Sequence, residues 1–247
     1  MALWCKDLPS VTVPLGTEPK HVTLIVPYYE QPVFFARQLA TWASYPPELS
    51  AYLSIIVVDD GSPTSPAAAV ERPALRDFRL FRIGPDVRWN WLAARNIGFH
   101  AASEGWCLVT DMDHVLPAET LRACVYGQHD PRVAYAFSRQ EYTGASAMPH
   151  SASFFLTRKM FWKTGGYDER GSGYYGNDGP FRRKLAKVAA IKVLSDVLVR
   201  HEHVDDSYTT RYLRKQAEDA QLKRILAKND PPKVLSFPYA EVTCSAL

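Results

Sequence analysis

Two aspartates follow an apolar stretch near the middle of the chain. Trp106 to Val109 reads WCLV, and Asp111 and Asp113 come just after it in the segment TDMDH. On an extended chain, side chains two residues apart point the same way, so these carboxylates should lie close together. Such carboxylates repel each other, and a positive partner is expected beside them. A hard divalent cation would serve, because it takes oxygen ligands. Aspartates that cap the following helix are the plainer alternative.

A second acidic pair ends another apolar run. Asp59 and Asp60 follow Tyr52–Val58 and precede Gly61–Pro63. An Asx-turn before the proline would explain them structurally. Ligands of parallel α/β sheets bind beyond the carboxyl ends of the strands. Both acidic pairs are expected at such ends, so the sequence predicts a single acidic rim.

The spacing of apolar residues predicts alternating strands and helices. Strands are predicted at 22–27, 52–58, within 75–83, and at 106–110, 133–138, 153–157 and 191–199. Helices are predicted at 31–43, 91–102, 117–126, 158–163, 180–189 and 207–228. This alternation is typical of an α/β fold, with a mostly parallel central sheet and helices on both faces. We expect a single domain after an extended N-terminal arm.

The composition is that of an ordinary globular protein that is not embedded in a membrane. The chain has 247 residues, 47% of them hydrophobic and 22% charged, with a net charge of +3 that suits a polyanionic partner without requiring one. Four cysteines without a C-x-x-C pair indicate reduced thiols and a cytoplasmic location. The N-terminus lacks the pattern of a secretory signal, and Ile55–Val58 is far too short to span a bilayer, so we expect no transmembrane segment.

The order of several motifs resembles that of GT-A fold glycosyltransferases, most closely the inverting family-two type. The segments are VTLIVPYYEQP (22–32), IIVVDDGSP (55–63), LAARNIGFHAA (92–102), LVTDMDHVLP (108–117) and FFLTRKMFWKTGGYDERGSGYYGNDGPFRRKL (154–185). The last segment is also similar to a galactosyltransferase-like C-terminal motif. The resemblance covers roughly Val22 to His203 and implies a GT-A (Rossmann-like) domain.

The resemblance also implies how the chain is divided. Residues 1–20 would be the arm, 21–116 the nucleotide-sugar-binding half, 117–205 the acceptor and catalytic half, and 206–247 a C-terminal helix and tail. The Q-x-x-R-W signature of processive synthases is absent from the sequence, so transfer of a single sugar, of the hexosyltransferase type, is expected.

For the metal, the resemblance implies that Asp111 and Asp113 are the D-x-D motif that holds Mn²⁺ or Mg²⁺ on a nucleotide-sugar diphosphate. Asp113 would be the direct ligand and Asp111 would lie nearer the ribose or sugar. His201 or His203 would complete the shell, with a surface histidine pair as the alternative. His114 and His150 receive no role beyond the wall of the pocket.

For the donor, the resemblance implies that Asp60, and less directly Asp59, accepts a hydrogen bond from the imide of a uracil base, which favours a UDP-sugar. The backbone at Pro27 and Tyr28 would contact base and ribose, and an aromatic ring at Tyr28 or Tyr29 could stack on the base. Arg95 would reach a phosphate or pair with the acids. A structural salt bridge is the alternative for Arg95.

For catalysis, the resemblance implies that Asp178 is the general base that takes the proton of the acceptor hydroxyl. Gly176 and Asn177 would let the backbone approach the acceptor. The family often has Glu-Asp where this chain has Asn177-Asp178, which leaves one carboxylate. An N-cap of the next helix is the structural alternative for Asp178.

Other functions remain open at this level. DMDH also resembles the haloacid-dehalogenase phosphatase motif, with Asp111 as nucleophile, and nucleotidyltransferases share acidic metal sites on a similar sheet. A degenerate binding module is the non-enzymatic alternative. The acceptor could be a glycan, a lipid-linked sugar, a protein or hydroxymethylated DNA. Basic residues of the last helix either face solvent or bind an anionic partner; they are Arg211, Arg214, Lys215, Lys223, Arg224 and Lys228.

Overall fold

One mixed sheet organises the whole molecule. The computed structural model describes residues 8–69, 77–174, 176–202 and 215–243. Within them the sheet order is β1-β10-β7-β9-β5-β2-β3-β4-β11, with β6 beside β10 and β8 beside β7. The strands are β1 (Ser10–Val11), β2 (Val22–Tyr28), β3 (Leu53–Asp59), β4 (Phe78–Ile83), β5 (Trp106–Val109), β6 (His114–Val115), β7 (Val133–Gln140), β8 (Ser146–Ala147), β9 (Phe154–Thr157), β10 (Ala190–His201) and β11 (Tyr239–Val242).

The helices lie on both faces of this sheet. They are α1 (Pro32–Ala43), α2 (Pro47–Ser50), α3 (Trp91–Ala101), α4 (Ala118–Tyr126), α5 (Arg158–Lys163), α6 (Asp178–Val188) and α7 (Lys215–Leu226). Strands β5, β2, β3 and β4 run parallel to one another, and β7 runs parallel to β10. Strand β9 is antiparallel to both β5 and β7 and joins the two parallel groups. The expected mostly parallel α/β fold in a single domain is confirmed.

Alternate residues of the central strands enter two separate cores. Leu24 of β2 packs in the layer that contains α1, α2 and α4, whereas its neighbour Ile25 packs in the layer of α3, α5 and α6. Helices cover both faces of these strands, and every residue of β2 and β3 is buried. This explains the continuously apolar strands of the sequence, because a strand covered on both faces needs no polar side.

A glycine sets how closely α3 approaches the sheet. A Cβ at Gly98 would lie 2.3 Å from Cγ2 of Ile25 in β2. The helix backbone therefore rests directly on the strand, and this close approach fixes where Arg95 and Asn96 of the same helix point.

The ends of the chain depart from the predicted division. The predicted arm is extended but not separate, because β1 pairs with β10 and Leu15 bridges to Gly127. Beyond the predicted domain end at residue 205, β11 pairs with β4 and extends the sheet. Helix α6 begins at Asp178 rather than at 180, and β10 continues to His201. Across the described ranges, the helices are all too short or too polar to cross a bilayer.

Candidate active site

The acidic rim predicted from the sequence exists at the carboxyl ends of three adjacent strands. Tyr28 of β2 pairs with Asp59 of β3, and Ile25 of β2 pairs with Val109 of β5. The backbone N–H of Thr110 then donates to the carbonyl of Ile25 over 3.2 Å. Because the strands are parallel and in register, the residues after them emerge on one edge of the sheet.

The carboxylate of Asp113 lies between two histidines. Its Oδ1 accepts a hydrogen bond of 2.7 Å from Nδ1 of His114, and its Oδ2 lies 3.6 Å from Nε2 of His201. Strand β6 brings these groups together, because it pairs antiparallel with β10 and places His114 opposite His201. Burial opposes ionisation of Asp113, but the hydrogen bond from His114 and the close contact with His201 outweigh it and hold its pKa well below the usual range.

A second carboxylate orients His201. Nδ1 of His201 lies 2.6 Å from Oε2 of Glu141, and Glu141 in turn pairs with Arg139 at 2.8 Å. The contact with Asp113, and after it that with Glu141, raises the pKa of His201 against the effect of burial. Nδ1 of His201 is thus engaged by Glu141, and Nε2 is the nitrogen that faces Asp113. Sequence reasoning missed Glu141, which follows β7 and carries no motif.

The positive partner expected beside the aspartates is Arg95 of α3. Its side chain is fully buried, and its Nη2 donates to Oδ1 of Asp111 while its Nη1 donates to the hydroxyl of Tyr167 over 3.0 Å. The ring of Trp91 lies 4.5 Å from its Cζ. Burial disfavours the charge, but Asp111 raises the pKa of Arg95 and keeps the guanidinium protonated. Of the two roles expected for Arg95, the structure contains the ion pair.

Three histidine rings lie next to one another along the rim. The ring of His114 lies 4.3 Å from that of His150 and 5.0 Å from that of His201. Asp111, His114 and His150 can each direct a ligand atom into a space where these atoms lie within 4.8 Å of one another. His150, for which the sequence suggested only a place in the wall of the pocket, comes from the loop between β8 and β9. His203 lies outside the described residues.

Asp178 is the first residue of α6 and is half-buried in the same region. Its Oδ2 accepts a hydrogen bond of 3.3 Å from the hydroxyl of Ser151, and its Oδ1 has no hydrogen-bond partner among the described residues. Burial raises the pKa of Asp178, and Arg95 offsets only part of that shift. The N-cap position belongs to Asn177, whose side chain makes no capping bond. The structural alternative for Asp178 is therefore not realised.

The residues before Asp178 form a tight loop. The side-chain amide of Asn177 donates to the carbonyls of Gly171 (2.9 Å) and Tyr174 (2.7 Å), and Asn177 itself is buried. Gly176 adopts a φ of 96°, in the left-handed region that favours glycine. Asn177 thus holds the loop that carries Asp178. A carboxylate at this position would lack the two N–H donors of the amide.

The motifs around Asn96 and Gly166 are tied together by buried hydrogen bonds. The amide of Asn96 donates to the carbonyl of Tyr167 and to Oε1 of Glu169, and its oxygen accepts from the N–H of Tyr167. A Cβ at Gly166 would lie 2.9 Å from the oxygen of Asn96. These contacts place the hydroxyl of Tyr167 against Arg95.

The two acids after β3 differ in their surroundings. Oδ1 of Asp59 accepts from the N–H of Ser62, three residues on, at 3.0 Å, whereas the expected Asx-turn would bond two residues on. Oδ2 of Asp59 lies 3.4 Å from Nε of Arg82. Burial raises the pKa of Asp59 despite these contacts. The N–H of Asp60 donates to the carbonyl of Tyr28. This bond draws the carboxyl ends of β2 and β3 together.

The aromatic residues at the end of β2 also differ. The ring of Tyr28 packs inside the core, 5.3 Å from that of Phe35. Tyr29 is partly exposed, and its hydroxyl donates to Asp86 over 3.1 Å. Of the two rings considered for base stacking, only the ring of Tyr29 lies outside the core. Pro27 and Tyr28 reach the rim as the last two residues of the strand.

The fold and the rim together define a GT-A type protein, and comparison with known proteins agrees. Residues 23–187, more than half of the chain, match the model of glycosyl transferase family 2. The chain belongs to this family and is a glycosyltransferase. A comparison with curated protein sequences finds no significant match. With the family established, the phosphatase and nucleotidyltransferase alternatives lose their basis.

Solved structures share the fold at low sequence identity. The mannosyltransferase PcManGT from Pyrobaculum calidifontis, in complex with GDP-Man and Mn²⁺, is 21% identical, with a TM-score of 0.63 over 92% of this chain and 70% of its own. S. aureus TarS 1-349 in complex with UDP-GlcNAc is 17% identical, with a TM-score of 0.64 over 84% of this chain and 70% of its own. At these identities the likeness establishes the fold.

Proposed function

We propose that the protein is a metal-dependent, inverting glycosyltransferase that moves one sugar from a UDP-sugar to an acceptor hydroxyl. The observation that carries this proposal is the pair formed by Oδ2 of Asp113 and Nε2 of His201, 3.6 Å apart at the end of β5. That separation exceeds a hydrogen bond and resembles that of two ligands on one cation, roughly 3.4 Å when each bond is about 2.1 Å.

The residues at the rim fit a divalent cation. Asp113 stays ionised, and His201 is oriented by Glu141 so that its second nitrogen can act as a ligand. One imidazole among oxygen ligands favours Mn²⁺ over Mg²⁺. A cation held there would neutralise the negative charge of the leaving diphosphate. PcManGT, which shares the fold, binds Mn²⁺ with its donor.

The donor would lie across the ends of β2, β3 and β5. We assign recognition of the base to Asp60, whose N–H donates to the carbonyl of Tyr28 and which therefore lies where β2 and β3 end. The backbone of Pro27 and Tyr28 would contact base and ribose. Asp111, fixed and kept ionised by Arg95, would accept hydrogen bonds from hydroxyls of the ribose or the sugar. The two neighbours bind a GDP-sugar and a UDP-sugar. The carboxylate of Asp60 can accept a hydrogen bond from the imide N–H of uracil.

Asp178 would act as the general base. An inverting transfer needs a single carboxylate beside the acceptor hydroxyl to take its proton as the hydroxyl oxygen bonds to the anomeric carbon. Oδ1 of Asp178 supplies such an acceptor, and Ser151 holds the other oxygen in place. Residues 21–116 would then form the donor half, and 117–205 the acceptor half. Two buried, unpaired thiols, Cys107 and Cys124, support a cytoplasmic setting.

A donor screen tests the proposal. Thermal stabilisation and slow hydrolysis of nucleotide sugars are measured with Mn²⁺, with Mg²⁺ and with EDTA, and the anomeric configuration of the product is read by NMR. We expect Mn²⁺-dependent stabilisation by a UDP-sugar, lost in Asp113→Ala and weakened in His201→Ala. Asp130→Ala, which removes an exposed carboxylate paired with Arg132, is the matched control. Donor binding that is indifferent to EDTA, or unchanged in Asp113→Ala, would overturn the proposal.

A further inference from the structure

We propose that Asp111, His114 and His150 form a second cation site, distinct from the Asp113–His201 pair, that takes a transition metal such as Zn²⁺ or Co²⁺ without any nucleotide. Their ligand atoms lie within 4.8 Å of one another. Two imidazoles and one carboxylate are a ligand set suited to Zn²⁺, Co²⁺, Fe²⁺ or Mn²⁺, whereas Mg²⁺ prefers oxygen alone.

One nitrogen of His114 is engaged by its neighbour. Nδ1 of His114 lies 2.7 Å from Oδ1 of Asp113. Nε2 is therefore the nitrogen that is left for a ligand. His114 is only 2% exposed, and its Nε2 has no hydrogen-bond partner within the described part of the chain. A buried lone pair without a donor costs free energy, and a metal ion would satisfy it.

His150 is held in a similar way from the opposite side. Its Nδ1 lies 3.0 Å from the hydroxyl of Ser153, which is also 2.8 Å from the hydroxyl of Thr110. Its Nε2 faces Oδ2 of Asp111 at 3.5 Å, at the outer limit of a hydrogen bond. Ligand histidines in metal sites are commonly oriented through their second nitrogen in this manner.

The two sites have no ligand in common, but Asp113 contacts a histidine of each. Asp113 bonds to Nδ1 of His114 through Oδ1 and faces His201 through Oδ2. Asp111 bonds to Arg95 through Oδ1 and faces His150 through Oδ2. Asp111 therefore uses one oxygen to bind Arg95 and directs the other to His150. Asp113 uses one oxygen to bind His114 and directs the other to His201. Ligation at His150 would also fix the loop that carries Ser151 to Asp178.

Cobalt titration tests this site without nucleotide and without activity. The full chain is stripped with EDTA, and Co²⁺ is added while its visible absorption is recorded; Zn²⁺ affinity is then measured by calorimetry. We expect one equivalent to bind, with an affinity that His150→Ala lowers at least about tenfold and that His201→Ala changes less than twofold. His100→Ala, on the exposed side of α3, controls for weak binding to surface imidazoles.

The variants distinguish this site from the donor cation. His150→Gln keeps a polar side chain and serves if His150→Ala lowers the melting temperature; it should lose Co²⁺ equally. An equal loss of Co²⁺ affinity in His201→Ala and His150→Ala would mean one shared site and would overturn the proposal. Unchanged Co²⁺ affinity in both His150→Ala and His150→Gln would also overturn it. Neither result bears on the transfer proposal, which is read from donor-dependent Mn²⁺ binding at Asp113 and His201.

Discussion

Arg95 and Asp111 form an ion pair whose members differ sharply in exposure. The side chain of Arg95 is completely buried, whereas 34% of the side chain of Asp111 is exposed at the rim. A carboxylate left alone at that rim can be hydrated, but a guanidinium left alone in the interior cannot. The pair should therefore respond unequally to the loss of either partner.

Asp111→Ala should lower the free energy of unfolding by about 3 kcal/mol, because it leaves a buried, unpaired charge. Arg95→Met should cost less, because Asp111 regains water. The double variant should be more stable than Asp111→Ala alone. Urea unfolding of the two single variants, the double variant and the parent gives the coupling energy. Equal losses in the single variants with simple additivity would contradict this account.

Asp178→Asn should reduce turnover by a factor on the order of 10² to 10⁴ and leave donor affinity unchanged, since the amide cannot take a proton. The stability of Asp178→Asn, unlike its turnover, should not fall. Burial raises the pKa of Asp178, so the folded state binds the proton more tightly than the unfolded chain, and the ionised form is a cost near neutral pH. The melting temperature of Asp178→Asn at pH 7 should equal or exceed that of the parent. A clear loss of stability would contradict the assignment.

The pH profile should report the same carboxylate. A general base works when deprotonated, so kcat/KM should fall as pH drops through the raised pKa of Asp178. The hydrogen bond from Ser151 lowers that pKa in part. Ser151→Ala should therefore move the acid limb to higher pH, while Ser50→Ala, on α2, should leave it in place. An unchanged limb in Ser151→Ala would argue that another group sets it.

Asn177→Asp, which places an acid where the family often has Glu, should destabilise the protein. Both N–H bonds to the carbonyls of Gly171 and Tyr174 would be lost, and a carboxylate would face two acceptors. A cost of about 2 kcal/mol is expected. Thermal unfolding of Asn177→Asp, with Asn229→Asp on the exposed surface as the matched change, measures it. Equal stability of the two variants would mean that the amide donors contribute little.

Glu169→Ala should be among the most destabilising single changes. The buried carboxylate accepts hydrogen bonds from Asn96, from the N–H groups of Leu235 and Ser236, and from the hydroxyl of Ser236. Its removal leaves several donors unpaired, at a cost of about 3 kcal/mol. Glu104→Ala, whose side chain is 74% exposed, should change stability by less than about 1 kcal/mol. Denaturant titration of the two variants decides between these outcomes.

Several parts of the candidate site had local signals in the sequence. The carboxylates of Asp111 and Asp113 were placed by their spacing after an apolar strand, and those of Asp59 and Asp60 by the same rule. The role of Asn177 had no such signal. Its carbonyl partners are contributed by the fold of the 171–177 loop, which composition alone describes only as glycine-rich.

The sequence by itself determined the order of the main strands and helices and the rim on which the acids stand. The elements follow from apolar periodicity, which is a local property. The rim follows from the rule that strands alternating with helices form a parallel sheet. Only the tertiary structure decided that Arg95 neutralises Asp111, that Glu141 orients His201, and that His150 joins the rim. Those partners come from distant helices, strands and loops, and the packing of β6 on β10 and of β9 between the two parallel groups brings them within contact distance.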